Sequence, residues 1–237
     1  MIKDPIDDEI IDITNDIIIR PQDKWEKYLH TYDIEWSFHY WNPFSIIFLL
    51  IFLWVFLLQI HYGFWDLTEK LDPSSFTYQY STIPGSSDYT WIFTSMFLHG
   101  NMEHIIGNSL FFYILSLISY RVIGFWGSGM LFVFTGIITG IASYYFNTLP
   151  SLGASGAIFG MFGFLSIFYI HQRKFLTKNL KDLSWVMIIS AIWEILLGIA
   201  VPYVDNYAHI SGFLAGLFWG YIYFSFIKKS YFQNEIK

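Results

Sequence analysis

Four polar residues stand out in an otherwise apolar chain. Ser155 lies in the run Gly153-Ala154-Ser155-Gly156, His209 follows Ala208, and His104 and Asn108 are four positions apart. A serine hydroxyl is a weak nucleophile until a base within hydrogen-bond reach takes its proton, and histidine is the side chain most often used for that. His104 and Asn108 share one helical face and can both donate hydrogen bonds. Acyl transfer needs such donors where negative charge builds on the carbonyl oxygen. The backbone N–H of Ser155, at a helix start, would add a third donor with a favourable dipole. Taken singly, each residue also has a plainer explanation. Gly-x-Ser-Gly is more often a turn with a small packing residue, and a histidine near a helix end is more often structural. His104 and Asn108 could equally hold helices together, at about 1 kcal/mol per contact. The chemistry depends on whether the elements that carry these residues meet.

Composition indicates what those elements are. The chain has 237 residues, 54% hydrophobic and 22% aromatic, with only 14% charged, against about 25% charged in soluble domains. Val122 to Gln172 contains no Asp, Glu, Lys or Arg. That run is too long for one membrane span of about 20 residues and suits two, so Ser155 falls just after a turn, at the start of a returning helix. The apolar runs do not alternate, so helices rather than a barrel must satisfy the backbone in lipid. The expected fold is an all-α membrane bundle of six spans: about Phe44 to Tyr62, Glu103 to Tyr120, Ser128 to Phe146, Ser155 to Ile170, Ser184 to Val201 and Tyr207 to Ile227. This divides the chain into a short acidic segment (1–42), a membrane domain (43–228) and a tail (229–237). The Ile-rich patch from Ile10 to Ile19 fits a strand or a short helix equally. The polar, acidic start fits neither a signal nor a transit peptide. The connection Gly63 to Asn101 is dense in aromatics, including Phe76, Tyr78, Tyr80, Tyr89, Trp91, Phe93 and Phe97, and is expected to lie in the headgroup layer. There is no cysteine, hence no disulfide or thiolate metal site, and the net charge of −6 comes mostly from the first forty residues. The bilayer is the expected partner; nucleic acid is not.

Orientation follows from the basic residues. Lys3, Arg20, Lys24 and Lys27 precede the first span, and Arg121 lies in the second loop. Arg173, Lys174, Lys178 and Lys181 lie in the fourth loop, and Lys228, Lys229 and Lys237 in the tail. Only Lys70 falls on the other side. Six spans with both termini in the cytoplasm account for this pattern. Spans two, four and six then begin near the same outer face, which puts His104, Asn108, Ser155 and His209 at one depth. Gly156, Gly160 and Gly163 on span four and Gly212, Gly216 and Gly220 on span six are spaced to let two membrane helices pack backbone to backbone.

Other candidates are weaker. His99, Glu103 and His104 cluster, but zinc helices need His-Glu-x-x-His or His-x-x-Glu-His. The spacing here is one residue too long, so no metal is expected. Glu194 lies inside the fifth span, where an ionisable group is by default a functional hypothesis; a protonated Glu bonded to a neighbouring helix is the alternative.

Together, these residues resemble the rhomboid family of intramembrane serine proteases over about Thr90 to Phe226. Three segments carry the likeness: His99-Gly-Asn-Met-Glu-His104-Ile-Ile-Gly-Asn108, Gly153-Ala-Ser155-Gly-Ala-Ile-Phe159-Gly160 and Ala208-His209-Ile-Ser-Gly212-Phe-Leu-Ala-Gly216. They resemble the family's His…His-x-x-x-Asn, Gly-x-Ser-Gly and Ala-His-x-x-Gly-x-x-x-Gly elements, in the same order. The resemblance implies that Ser155 is the nucleophile and His209 the general base, a dyad without a carboxylate. It makes His104, Asn108 and the Ser155 backbone the oxyanion hole and has Phe159 orient His209. It also implies a membrane-embedded first loop, and a movable gate and cap formed by span five and Pro202 to Asn206. No cofactor is implied. Substrates would be single-span membrane proteins, cleaved near the outer face of what is expected to be a bacterial plasma membrane. Where the family often has Trp-Arg, this chain has Thr90-Trp91, which questions how its first loop is anchored. The rival readings are an inactive rhomboid-like protein that binds membrane segments and a small transporter; a transporter should show charged or broken helices along a central path.

Overall fold

A computed structural model describes residues 42–64, 72–172, 178–201 and 204–234. The acidic start, Lys70 and the basic residues Arg173, Lys174 and Lys237 lie outside the described residues.

Helix α1 (Pro43–Tyr62) begins at Asn42, whose side chain accepts from the Ser45 N–H, with Pro43 in the first turn where its missing donor costs nothing. It ends at Gly63, in a left-handed conformation (φ 124°) whose N–H returns to the Gln59 carbonyl. Leu50, Leu53, Trp54, Leu57 and Ile60 on its outer side are all more than half exposed. An apolar face left uncovered in this way suits lipid, and α1 is apolar on all sides. A narrow stripe of Phe52, Phe56 and Gln59 faces inward.

The chain then continues in short pieces, α2 (Phe76–Gln79), α3 (Trp91–Thr94) and a 3-10 turn (Ser95–Phe97). The next helix, α4 (Met102–Phe146), has 45 residues. A straight helix that long would reach about 67 Å, but Gly124 breaks it with φ 71° and ψ −174°. Only glycine adopts that φ without strain. The two arms, 102–123 and 125–146, fold back on each other, so that the rings of Phe112 and Phe132 meet at 5.3 Å. The second and third expected spans are thus arms of one broken helix. Arg121, expected in a loop, lies in the last turn of the first arm: a single glycine makes the reversal and leaves no room for a longer connection.

Helices α5 (Ser155–Gln172), α6 (Lys178–Ala200) and α7 (Asn206–Asn234) complete the bundle. Among the described residues there are six long helical stretches, near the positions expected from hydropathy. Of the helices, α1 and α4 are long and apolar enough by length and composition to cross a membrane. Helix α5 is the hub, and every residue from 156 to 165 is buried. Its contact with α7 runs along the expected glycines. A Cβ at Gly212 would lie 2.1 Å from the Gly156 carbonyl oxygen, and one at Gly216 would lie 1.8 Å from that of Gly160. Threonines on α4 fill the other side of α5, where Gly156 abuts Thr139 and Gly160 abuts Thr135. In lipid, packing of this kind, rather than escape from water, holds helices together.

Candidate active site

Ser155 opens α5, and the segment before it is fixed by the first loop. Thr82 and Ser151 exchange two backbone hydrogen bonds, at 2.8 and 2.9 Å, the one β-bridge among the described residues. The Gly153 N–H donates to the Ser95 carbonyl at 2.9 Å. Gly153 itself has φ 118°, a conformation that excludes other residues without strain.

His209 sits in the first turn of α7, which starts at the cap residue Asp205. The Asp205 carboxylate accepts the Ala208 N–H at 3.1 Å with one oxygen and the Ser143 hydroxyl with the other. With both oxygens engaged, it does not hold the His209 ring. His209 Nε2 lies 2.9 Å from Ser155 Oγ, within ordinary hydrogen-bond range. Phe159, one turn after Ser155, stacks on the imidazole with centroids 4.3 Å apart and planes 12° apart. His209 is 5% exposed, and its Nδ1 has no hydrogen-bond partner among the described residues. For Nε2 to accept the serine proton, Nδ1 must carry the ring's other proton.

His104 and Asn108 stand on the first turns of α4, whose N-cap Asn101 accepts the His104 N–H at 2.8 Å. The Gly100 N–H donates to His104 Nδ1 at 3.3 Å. A neutral ring that accepts at Nδ1 holds its proton on Nε2, and Nε2 lies beside Gly153. A Cβ on Gly153 would come within 2.8 Å of His104 Nε2 and 3.6 Å of Asn108 Nδ2. Asn108 Nδ2 is buried with no partner among the described residues. Two donors therefore converge on the chain two residues before the serine. The glycine there is a positional requirement, because any side chain would collide with the donors.

A cavity of about 660 Å³ joins all four residues. Ser155, His209, His104 and Asn108 line it, with Phe159 and Gly153, and Glu194 of α6 reaches it as well. His99 does not line it. His99 is fully buried, its ring edge-on to Phe52 at 5.4 Å.

Some of this framework has no mark in the motifs. Trp91, at the position where an arginine was missed, is buried and stacks on Tyr144, with centroids 4.9 Å apart and planes 12° apart. Gln59 grips the backbone of His99 from α1, accepting its N–H at 3.0 Å and donating to its carbonyl at 2.9 Å. The first loop is therefore anchored by a stacked ring and an amide clamp. The signal for Gln59 was present in the sequence, as the one uncharged polar amide within the apolar run of α1.

Comparison with known proteins identifies the family. A sequence profile of the Rhomboid domain matches residues 86–226. The chain is 31% identical over 166 residues to the Rhomboid protease GluP of Bacillus subtilis, covering 70% of this chain and 32% of that protein. It is 33% identical over 163 residues to RHOMBOID-like protein 4 of Arabidopsis thaliana, covering 64% of this chain and 40% of the relative. With the Rhomboid protease GlpG of Haemophilus influenzae it is 31% identical over 129 residues, 53% of this chain and 65% of the relative. The chain thus spans about a third of the length of the first of these relatives. The profile covers more than half of this chain, including Ser155, His209, His104 and Asn108, so the chain belongs to the rhomboid family of integral membrane proteins.

Proposed function

We propose that this protein is an intramembrane serine endopeptidase that cleaves single-span membrane proteins in or near their transmembrane segments. The observation that carries the reading is the 2.9 Å separation of His209 Nε2 and Ser155 Oγ, in a cavity that two hydrogen-bond donors also line. In the proposed cycle Ser155 Oγ attacks the substrate carbonyl carbon while its proton passes to His209 Nε2. The oxyanion is held by His104 Nε2–H, Asn108 Nδ2–H and the Ser155 backbone N–H; each such donor is typically worth about 10²–10³ in kcat. Collapse expels the amine, which takes the proton from His209, and leaves an acyl-enzyme. A water activated by His209 then hydrolyses that ester and frees the serine. Phe159 keeps the imidazole in plane throughout.

The proposed setting has six spans within 43–228, with the acidic segment and the tail (229–237) in the cytoplasm. Ser155, His209 and the donors lie toward the outer face, where water can enter. Twelve of the thirteen basic residues falling on one side of the six expected spans supports this arrangement, as do the six long helical stretches among the described residues. The proposed chemistry needs no metal or cofactor. The test is labelling of the detergent-purified protein by a fluorophosphonate, together with cleavage of a single-span test substrate. Ser155→Ala should abolish both. Full cleavage by that variant would sink the reading.

A further inference from the structure

Glu194 has no evident place in the catalytic cycle, yet it lines the same cavity as Ser155 and His209. It sits on the inward stripe of α6. Ala191, three residues earlier, is buried, and Gly198, four residues later, abuts Asn206 at the start of α7. The neighbours Ile192, Trp193 and Leu196 point outward and are more than half exposed. An ionisable side chain on the inner face of an apolar helix is costly and is normally paired. Among the described residues, Glu194 has no hydrogen-bond or ion-pair partner, and no Lys or Arg lines the cavity. The other two carboxylates there are differently placed. Glu103 is at the exposed start of α4, and both oxygens of Asp205 are engaged.

We propose that Glu194 is a specificity residue whose partner is a lysine or arginine of the substrate segment, bound close to the peptide bond that Ser155 attacks. A carboxylate with no partner among the described residues, in a cavity where those residues supply two more carboxylates and no lysine or arginine, selects for the charge it lacks. A neutral donor would satisfy one oxygen of the carboxylate; a cation also offsets its charge. The same charge repels acidic residues at that substrate position, so discrimination has an attractive and a repulsive part.

The proposal rests on the protease reading, and the experiment separates the two. The full chain is reconstituted in liposomes with single-span test substrates carrying Lys, Gln, Leu or Glu, in turn, at each position around the cleaved bond. The wild type should prefer Lys over Gln at one position by at least about tenfold in kcat/KM, the lower end of the coupling found for close charge pairs. Glu194→Gln should flatten that preference. Glu194→Lys should move it to the Glu-bearing substrate, a gain that misfolding cannot produce. The same substrate ranking in wild type and Glu194→Lys overturns the proposal, as does a wild type with no preference at any position. Fluorophosphonate labelling of wild-type Ser155 is the separate control. If the wild type neither labels nor cleaves the neutral substrates, the protease reading fails and the specificity proposal falls with it.

Discussion

The phenyl ring of Phe159 lies flat on the imidazole of His209, 12° from parallel and 4.3 Å away. With Asp205 committed to Ser143 and the α7 cap, this stack is the contact that sets the plane of the ring. In the proposed cycle a rotated ring points Nε2 away from Ser155 Oγ. Phe159→Leu keeps an apolar side chain but loses the flat face, and kcat should fall by about 10- to 100-fold, the scale of a misplaced catalytic group. KM should change little, and Phe159→Tyr should restore most of the rate. Steady-state kinetics on a single-span substrate check this; full kcat in a folded Leu variant would remove the orienting role.

The α5–α7 seam is the least forgiving part of the bundle. A methyl group at Gly216 would lie 1.8 Å from the Gly160 carbonyl oxygen, backbone that cannot rotate aside. Gly216→Ala should therefore push the helices apart and destabilise the protein by about 1–3 kcal/mol or more, as overpacking does. The Ser155–His209 distance would lengthen with it, so fluorophosphonate labelling should fall too. At Gly107 an added Cβ meets nothing within 4 Å, and Gly107→Ala should match the wild type or gain up to about 1 kcal/mol from helix propensity. Thermal unfolding in detergent distinguishes the two.

These contrasts show how much of the molecule could be read from its sequence. The glycine ladders were legible because small-residue spacing and close approach are one fact seen twice. The convergence of Ser155, His209, His104 and Asn108 was legible too, since charge asymmetry fixes which helix ends share a face. Gly124 was not. A helix broken by one residue looks in hydropathy like two spans joined by a loop, and only its φ and ψ separate the cases. Nor was the anchoring of the first loop. The Trp91–Tyr144 stack and the Gln59–His99 clamp join residues about forty or more positions apart through contacts with no periodicity to announce them. Glu194 was visible as an anomaly, but its cavity is a property of the packed helices.

Trp91 provides a test of the first-loop anchor. It is 3% exposed, and its ring fills the space between Tyr144 and Gly140. Its indole N–H has no partner among the described residues, so it is the ring rather than the donor that matters. Trp91→Ala should cost about 3–5 kcal/mol, the usual range for emptying so large a site. Trp91→Phe keeps a stacking face and removes an unsatisfied donor, and should cost less than about 1.5 kcal/mol. Equal losses for the two variants, measured by thermal unfolding, would mean that the stack does not anchor the loop.

Gln59 is the other anchor, and it acts nearer to the site. Its side chain accepts the His99 N–H and donates to the His99 carbonyl and the Thr77 hydroxyl. The next residue, Gly100, gives its N–H to His104 Nδ1, which leaves the His104 proton on Nε2. Gln59→Leu preserves the volume but strands the buried N–H and C=O of His99. Each orphaned group costs about 1–3 kcal/mol, so the two together should cost about 2–6 kcal/mol. The loss should be local before it is global, because α1 and α4 still pack through Phe52 and Phe112. Amide hydrogen exchange should therefore quicken at His99 and Gly100 well before the amides of α5 respond. Once Gly100 moves, His104 is free to place its proton on either nitrogen, and the imidazole nitrogen shifts of His104 should change from one tautomer to a mixture. Gln59→Leu with unchanged exchange at Gly100 and a single His104 tautomer would show that the clamp supports the loop without reaching the donor.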